Sequence, residues 1–182
     1  QWRDSRSDWD TEARKDIDFY LGNHFTADES DELASRNQAD IPMDRVSAAI
    51  EKFKAVLTSR PPAFTLTPRE DSDVQVATLW RTIMGYVWQN SDGDWQMKQA
   101  IQDYATTGMG YLYAYIDSES DFGRGDVKFT YVDPFRVYAS PSSRDRWFSD
   151  SDGIILSTIL TGEQAVNLYP ELGDRVDPET GE

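Results

Sequence analysis

The chain has 182 residues and a formal net charge of −15, with 33 acidic side chains against 18 basic ones. That length suffices for one core and a small second layer, and 6 Trp, 9 Tyr and 8 Phe argue against a disordered polypeptide despite the charge. The absence of cysteine excludes disulfide frameworks, thiolate nucleophiles and cysteine-ligated zinc, and no apolar run approaches the ~20 residues of a membrane helix, so the composition predicts a soluble chain.

In chain order, Asp10 to Gly22 reads as a helix with an acidic start, apolar Ile17, Tyr20 and Leu21, and a glycine stop. Ala27 to Asp40, rich in carboxylates, reads as a solvated loop. Ile41-Pro42-Met43-Asp44 then opens a strong helix. Its apolar residues Val46, Ala49, Ile50, Phe53, Val56 and Leu57 recur at three- and four-residue steps. Arg60-Pro61-Pro62 ends it, because the residue before a proline is pushed out of the helical region. Ala63 to Pro68 alternates as a short edge strand would. A long helix from about Ser72 to Asn90 is expected to bury Val76, Leu79, Trp80, Ile83 and Val87, with Trp88 slightly off that face. After a turn at Asn90–Asp94, Trp95 to Thr107 predicts a helix carrying Met97, Ala100, Ile101, Tyr104 and Ala105. Gly108 and Gly110 stop it and permit a close approach of helix to strand.

Tyr111–Ile116 and Val127–Val132 alternate, consistent with a hairpin carrying a long exposed loop. Alternation places Tyr111, Tyr113 and Tyr115 on one face. Arg136-Val137-Tyr138 and Ile154–Leu160 are further strand candidates, and Thr161 with Gln164 marks a capped short helix. The predicted architecture is α+β: several amphipathic helices packed beside a small, mostly antiparallel sheet.

The residues offer little catalytic chemistry. His24 is the single histidine, beside Asp28 and Asp31, and reads as a surface loop residue rather than a ligand. The acidic run from Asp117 fails the EF-hand pattern, with Phe122 where glycine belongs and Lys128 where glutamate belongs. Chance carboxylate pairs are unavoidable in so acidic a chain. No phosphate-binding GxxxxGK[ST] loop is present. Neither a cofactor nor a metal site is expected.

Charge is spread evenly. Residues 1–60 hold 13 acidic and 9 basic side chains, 61–140 hold 11 and 6, and 141–182 hold 9 and 3. No basic footprint exists for phosphate neutralisation, so tight DNA binding is not expected. Trp80 and Trp95 fit helical stripes and are expected in the core. Trp2, Trp9 and Trp147 lie in charged segments, where an exposed ring often marks a protein contact. Arg144-Asp145-Arg146-Trp147-Phe148 is the best candidate for an intersubunit patch; a loop tucked over the core is the alternative.

The order of elements carries more information than any single residue. Phe19-Tyr20-x-Gly22, Arg60-Pro61-Pro62, Gly108-x-Gly110-Tyr111 and Asp133-Pro134-x-x-Val137-Tyr138 follow one another at a spacing that resembles the N-terminal, wing portion of a tailed-phage portal protein, the head-to-tail connector, of the short-tailed type. The likeness spans roughly residues 10–145. It departs where Gly22-Asn23-His24-Phe25 and the acidic segment replace a Gln-Trp and Arg-rich approach. The resemblance implies an N-terminal helix and acidic loop over 1–40, a wing-like helical and β core over 41–160, and a short helix with a truncated linker over 161–182. Stem and clip helices would lie further along a longer chain.

It further implies a structural, non-enzymatic subunit of a ring, dodecameric in the family, at one capsid vertex of the virion and assembled in the host bacterial cytoplasm. Its partners would be copies of itself, the major capsid protein, the terminase, tail adaptor proteins, and double-stranded DNA passing without sequence-specific binding; no membrane is implied. On this reading Arg144, Arg146, Trp147 and Tyr113 are the subunit-contact candidates, and the Tyr111, Tyr113 and Tyr115 face is a scaffold surface for the preceding helix and a neighbouring subunit. Two other readings of the residues stand beside it: a carboxylate-based hydrolase with an aromatic-lined cleft, and a non-viral peptide-binding module.

Overall fold

Asp8 and Asp10 sit in the first turn of Ser7–Tyr20 (α1), where carboxylates suit the positive end of the helix dipole. The helix closes at Gly22, whose φ of 89° is the left-handed conformation glycine adopts freely, with Asn23 N–H donating to Asp18 O at 2.9 Å. His24 belongs to this closure. Its ring stacks on Phe19 with centroids 4.5 Å apart, and its Nε2 lies 3.1 Å from the Phe19 carbonyl oxygen.

The computed structural model describes residues 2–68, 70, 73–145 and 147–171. Among these are seven helices and four strands in an α+β arrangement, divided between two compact units that meet at Phe135/Arg136.

In the first unit the segment expected to be a loop contains Ala27–Ser35 (α2). Thr26 accepts from the Glu29 N–H while Glu29 accepts from the Thr26 N–H at 2.8 Å, a reciprocal capping box that the acidic composition concealed. The next helix, Val46–Leu57 (α3), starts later than Ile41; Asp44 Oδ1 accepts from Ser47 N–H at 3.0 Å at its entrance. The expected edge strand at Ala63–Pro68 does not form. That stretch pairs with no strand, and its anchor is Phe64, packed against Trp88 at 5.6 Å.

Val74–Asn90 (α4) and Gly93–Thr107 (α5) form a helical hairpin about a tight corner. Trp88 lies over Gly93 so closely that a β-carbon there would fall 2.3 Å from the indole ring, and the indole N–H donates to Asp94 at 2.8 Å. Gly108 ends α5 at φ 79°. At Gly110 a β-carbon would lie 2.0 Å from the Ala100 carbonyl oxygen, so the chain passes directly over the helix backbone as the glycines predict.

Tyr111–Asp117 (β1) pairs antiparallel with Asp126–Val132 (β2), with Tyr111 opposite Val132 and Asp117 opposite Asp126. A four-residue helical turn, Ser120–Gly123 (α6), lies in the connecting loop. The outer edge of β2 is sealed by side chains. Ser91 Oγ accepts from Phe129 N–H at 3.0 Å, and Gln96 Oε1 accepts from Tyr131 N–H at 2.7 Å. Edge amides covered in this way offer no template for a further strand.

The core of this unit is thin: Ala13, Val87, Trp88 and Ala100 are its buried apolar residues, with Pro134 fully enclosed. Trp9, expected as an exposed contact, is packed instead. It lies 5.3 Å from Phe135, beneath the Arg6 guanidinium at 4.6 Å, and donates to Thr107 O at 3.2 Å. Arg6 also donates to Pro134 O at 3.0 Å, so the Asp133-Pro134-Phe135 turn is clamped to α1.

The second unit pairs Val137–Ala139 (β3) with Ile154–Leu156 (β4) antiparallel, so the strands occupy two separate sheets. Arg136 Nε donates to Ser157 O at 2.7 Å where the expected longer strand stops. Gly162–Leu168 (α7) carries the capping box read from Thr161 and Gln164.

Candidate subunit interface

Two carboxylates build the loop that holds most of the sequence-derived candidates. Asp150 accepts from the Ser143 hydroxyl at 2.6 Å, from Arg144 N–H at 2.8 Å and from Asp145 N–H at 3.2 Å. Asp145 accepts from the Ser149 hydroxyl and, at 3.2 Å, from its N–H. These donors, Ser143 foremost for Asp150 and Ser149 for Asp145, hold both carboxyls below their ordinary pKa. The turn presents Arg144 and Trp147 outward, with Trp147 83% exposed, so the indole stands clear of the core. Arg146 lies outside the described residues.

Tyr113 is in the other unit. Its ring stacks on Tyr115, nearly parallel at 4° with centroids 5.9 Å apart, and remains 46% exposed. The expected packing of the preceding helix on the tyrosine face is not what forms. α5 engages the hairpin through Tyr131, whose hydroxyl donates to Asp103, while Phe129 meets Trp88 at 5.7 Å. Phe129 and Tyr131 share the register face of Ala114 and Leu112, opposite the tyrosines. Burial raises the pKa of Asp103, with nearby Asp133 adding to the rise and the Tyr131 bond opposing it. Burial and that bond push Tyr131 up. Asp117 is held at about 2, chiefly by Lys128 Nζ at 2.6 Å.

The apolar stripe of α4, expected in the core, is exposed. Of the stripe Val76, Leu79, Trp80, Ile83 and Val87 on α4, only Val87 is buried; Leu79 is 59% and Trp80 52% exposed. Trp95 on α5 is likewise exposed. The periodicity was read correctly, but periodicity reports an apolar face, not what covers it. A second signal was present: between Asp73 and Asp92 there is no acidic residue, and α4 carries the single charge of Arg81. A helix meant for water in so acidic a chain would be laced with charge.

Among the described residues no group of three or more histidine, aspartate or glutamate side chains is placed to hold a metal ion. A cleft of about 540 Å³ is lined by Tyr86, Asn90, Ser120, Asp121, Gly125, Asp126 and Lys128, and Asn90 already donates to Asp126 at 2.7 Å. No helix among the described residues is long and apolar enough to cross a membrane.

A family model described as phage P22-like portal protein matches residues 1–181. No curated protein matches the chain.

Proposed function

Because the chain belongs to the phage P22-like portal protein family, we propose that it is a structural subunit of the ring that forms the channel through which double-stranded DNA enters and leaves the capsid. Membership itself carries a structural role at the capsid vertex, in a ring of copies that meets capsid and DNA. Beyond that role, the proposal is a dodecamer that docks a terminase during packaging and tail adaptor proteins, assembled in the bacterial cytoplasm.

The observation that carries this reading is the extent of the family match, from residue 1 to residue 181. Two features support it. Acidic excess in every third of the chain would keep duplex DNA from adhering to a passage it must traverse, since like charges repel at close range. The built loop at Ser140–Gly153 displays Arg144 and Trp147, side chains suited to a protein contact; together with Arg146 and Tyr113 they are the contact residues proposed here. No reaction is assigned to the chain.

Native mass spectrometry and electron microscopy of the purified full-length protein test the proposal. Closed rings of uniform copy number are expected. A monomer that stays single across the accessible concentration range overturns it.

A further inference from the structure

We infer that the apolar face of α4 is a contact between copies of this chain: the face of one copy lies against its neighbour in the ring. This deepens the portal reading and rests on it. The residues are Val76, Leu79, Trp80, Ile83 and Tyr86, which follow one another on a single stripe. That stripe is anchored at its C-terminal end, where Val87 is buried, and runs on uncovered toward Val74. Gln75, Thr78, Thr82 and Gln89, polar but uncharged, border it along one side, and Arg81 lies on the far side of the helix.

Three observations select a second copy as the occupant. The first is charge. Two chains of −15 repel, and they approach most easily where carboxylates are missing; α4 has none and carries Arg81. The second is composition. Val, Leu, Trp, Ile and Tyr on one face of a helix that has no Lys, Glu or Asp is the make-up of an interface centre rather than of a solvated helix. The third is area. The five side chains expose on the order of 500 Å², the scale of a functional apolar patch and a large share of the roughly 800 Å² each partner contributes to a stable interface. A ring needs head-to-tail contacts, so the receiving surface on the neighbour is a different one.

The chain is free of cysteine, so Val76→Cys places one thiol on the stripe. An assembled equal mixture of unlabelled and nitrogen-15-labelled Val76→Cys chain is treated with a thiol-to-amine cross-linker and digested. Linked peptides of mixed label, read by mass spectrometry, are expected from α4. Links of uniform label alone mean that α4 is covered by its own chain and overturn the inference. In parallel, Leu79→Glu with Trp80→Glu is expected to weaken self-association at least about tenfold in sedimentation velocity, with an unchanged far-ultraviolet circular dichroism spectrum. Should that variant assemble as the parent does, the α4 contact is wrong while the ring stands. Should the parent not assemble, both fall.

Discussion

A single β-carbon is the smallest probe of how the first unit is held together. Gly110→Ala would place that carbon 2.0 Å from the Ala100 carbonyl oxygen, a backbone atom that cannot rotate away. A cost of about 2–3 kcal/mol is expected, read as a lowered urea midpoint. Gly85 is the contrast. It lies within α4 with nothing within 4 Å of its would-be β-carbon, so Gly85→Ala should stabilise by about 0.5–1 kcal/mol. Asp103 provides a test of a different kind. Its pKa is raised above the ordinary 3.8 by burial, so the folded chain holds that proton more tightly than the unfolded one. Stability is therefore lost as pH rises from 3.8 through the raised value. Asp103→Asn keeps an oxygen for the Tyr131 hydroxyl and removes the titration. It is expected to be the more stable form at pH 7, with the advantage vanishing below the ordinary carboxylate value; urea melts at both pH values decide. For Asp117 the sign is opposite. Its contribution is present above 3.8 and disappears as pH falls through about 2.

At the scale of elements, capping outweighs composition. The segment Ala27–Ser35 is acidic and exposed, yet it is helical because Thr26 and Glu29 satisfy each other's backbone donors at its start. Thr26→Ala should cost about 1 kcal/mol of local stability, seen as roughly fivefold faster amide exchange across residues 27–35, with the rest of the chain unaffected. The hairpin shows a related economy. Ser91 and Gln96, from the helical corner, occupy the amides that β2 would otherwise leave open, which explains why this sheet stops at two strands.

For the whole molecule, charge sets the behaviour toward nucleic acid. Every third is acidic, and the role proposed above has DNA pass without being gripped. At micromolar protein and about 0.15 M salt the chain is expected to leave duplex DNA unshifted in a gel. A salt-sensitive complex under those conditions would contradict the charge argument while leaving the family membership untouched.

Local rules were legible from residues alone wherever a local force decides them. The glycine stops at Gly22, Gly108 and Gly110, the hairpin of β1 and β2, and the Thr161 cap all follow from backbone sterics and short-range hydrogen bonds. The order of Phe-Tyr-x-Gly, Arg-Pro-Pro, Gly-x-Gly-Tyr and Asp-Pro-x-x-Val-Tyr pointed to the portal family before any coordinates. What needed the tertiary structure was the destination of each apolar face. Trp80 and Val87 share a stripe, yet one is half exposed and the other buried; Trp9 reads as exposed and is packed under Arg6. Side-chain period is a property of a helix by itself, whereas burial depends on which distant segment arrives to cover it, and hydrophobic attraction carries no direction that would name that segment in advance.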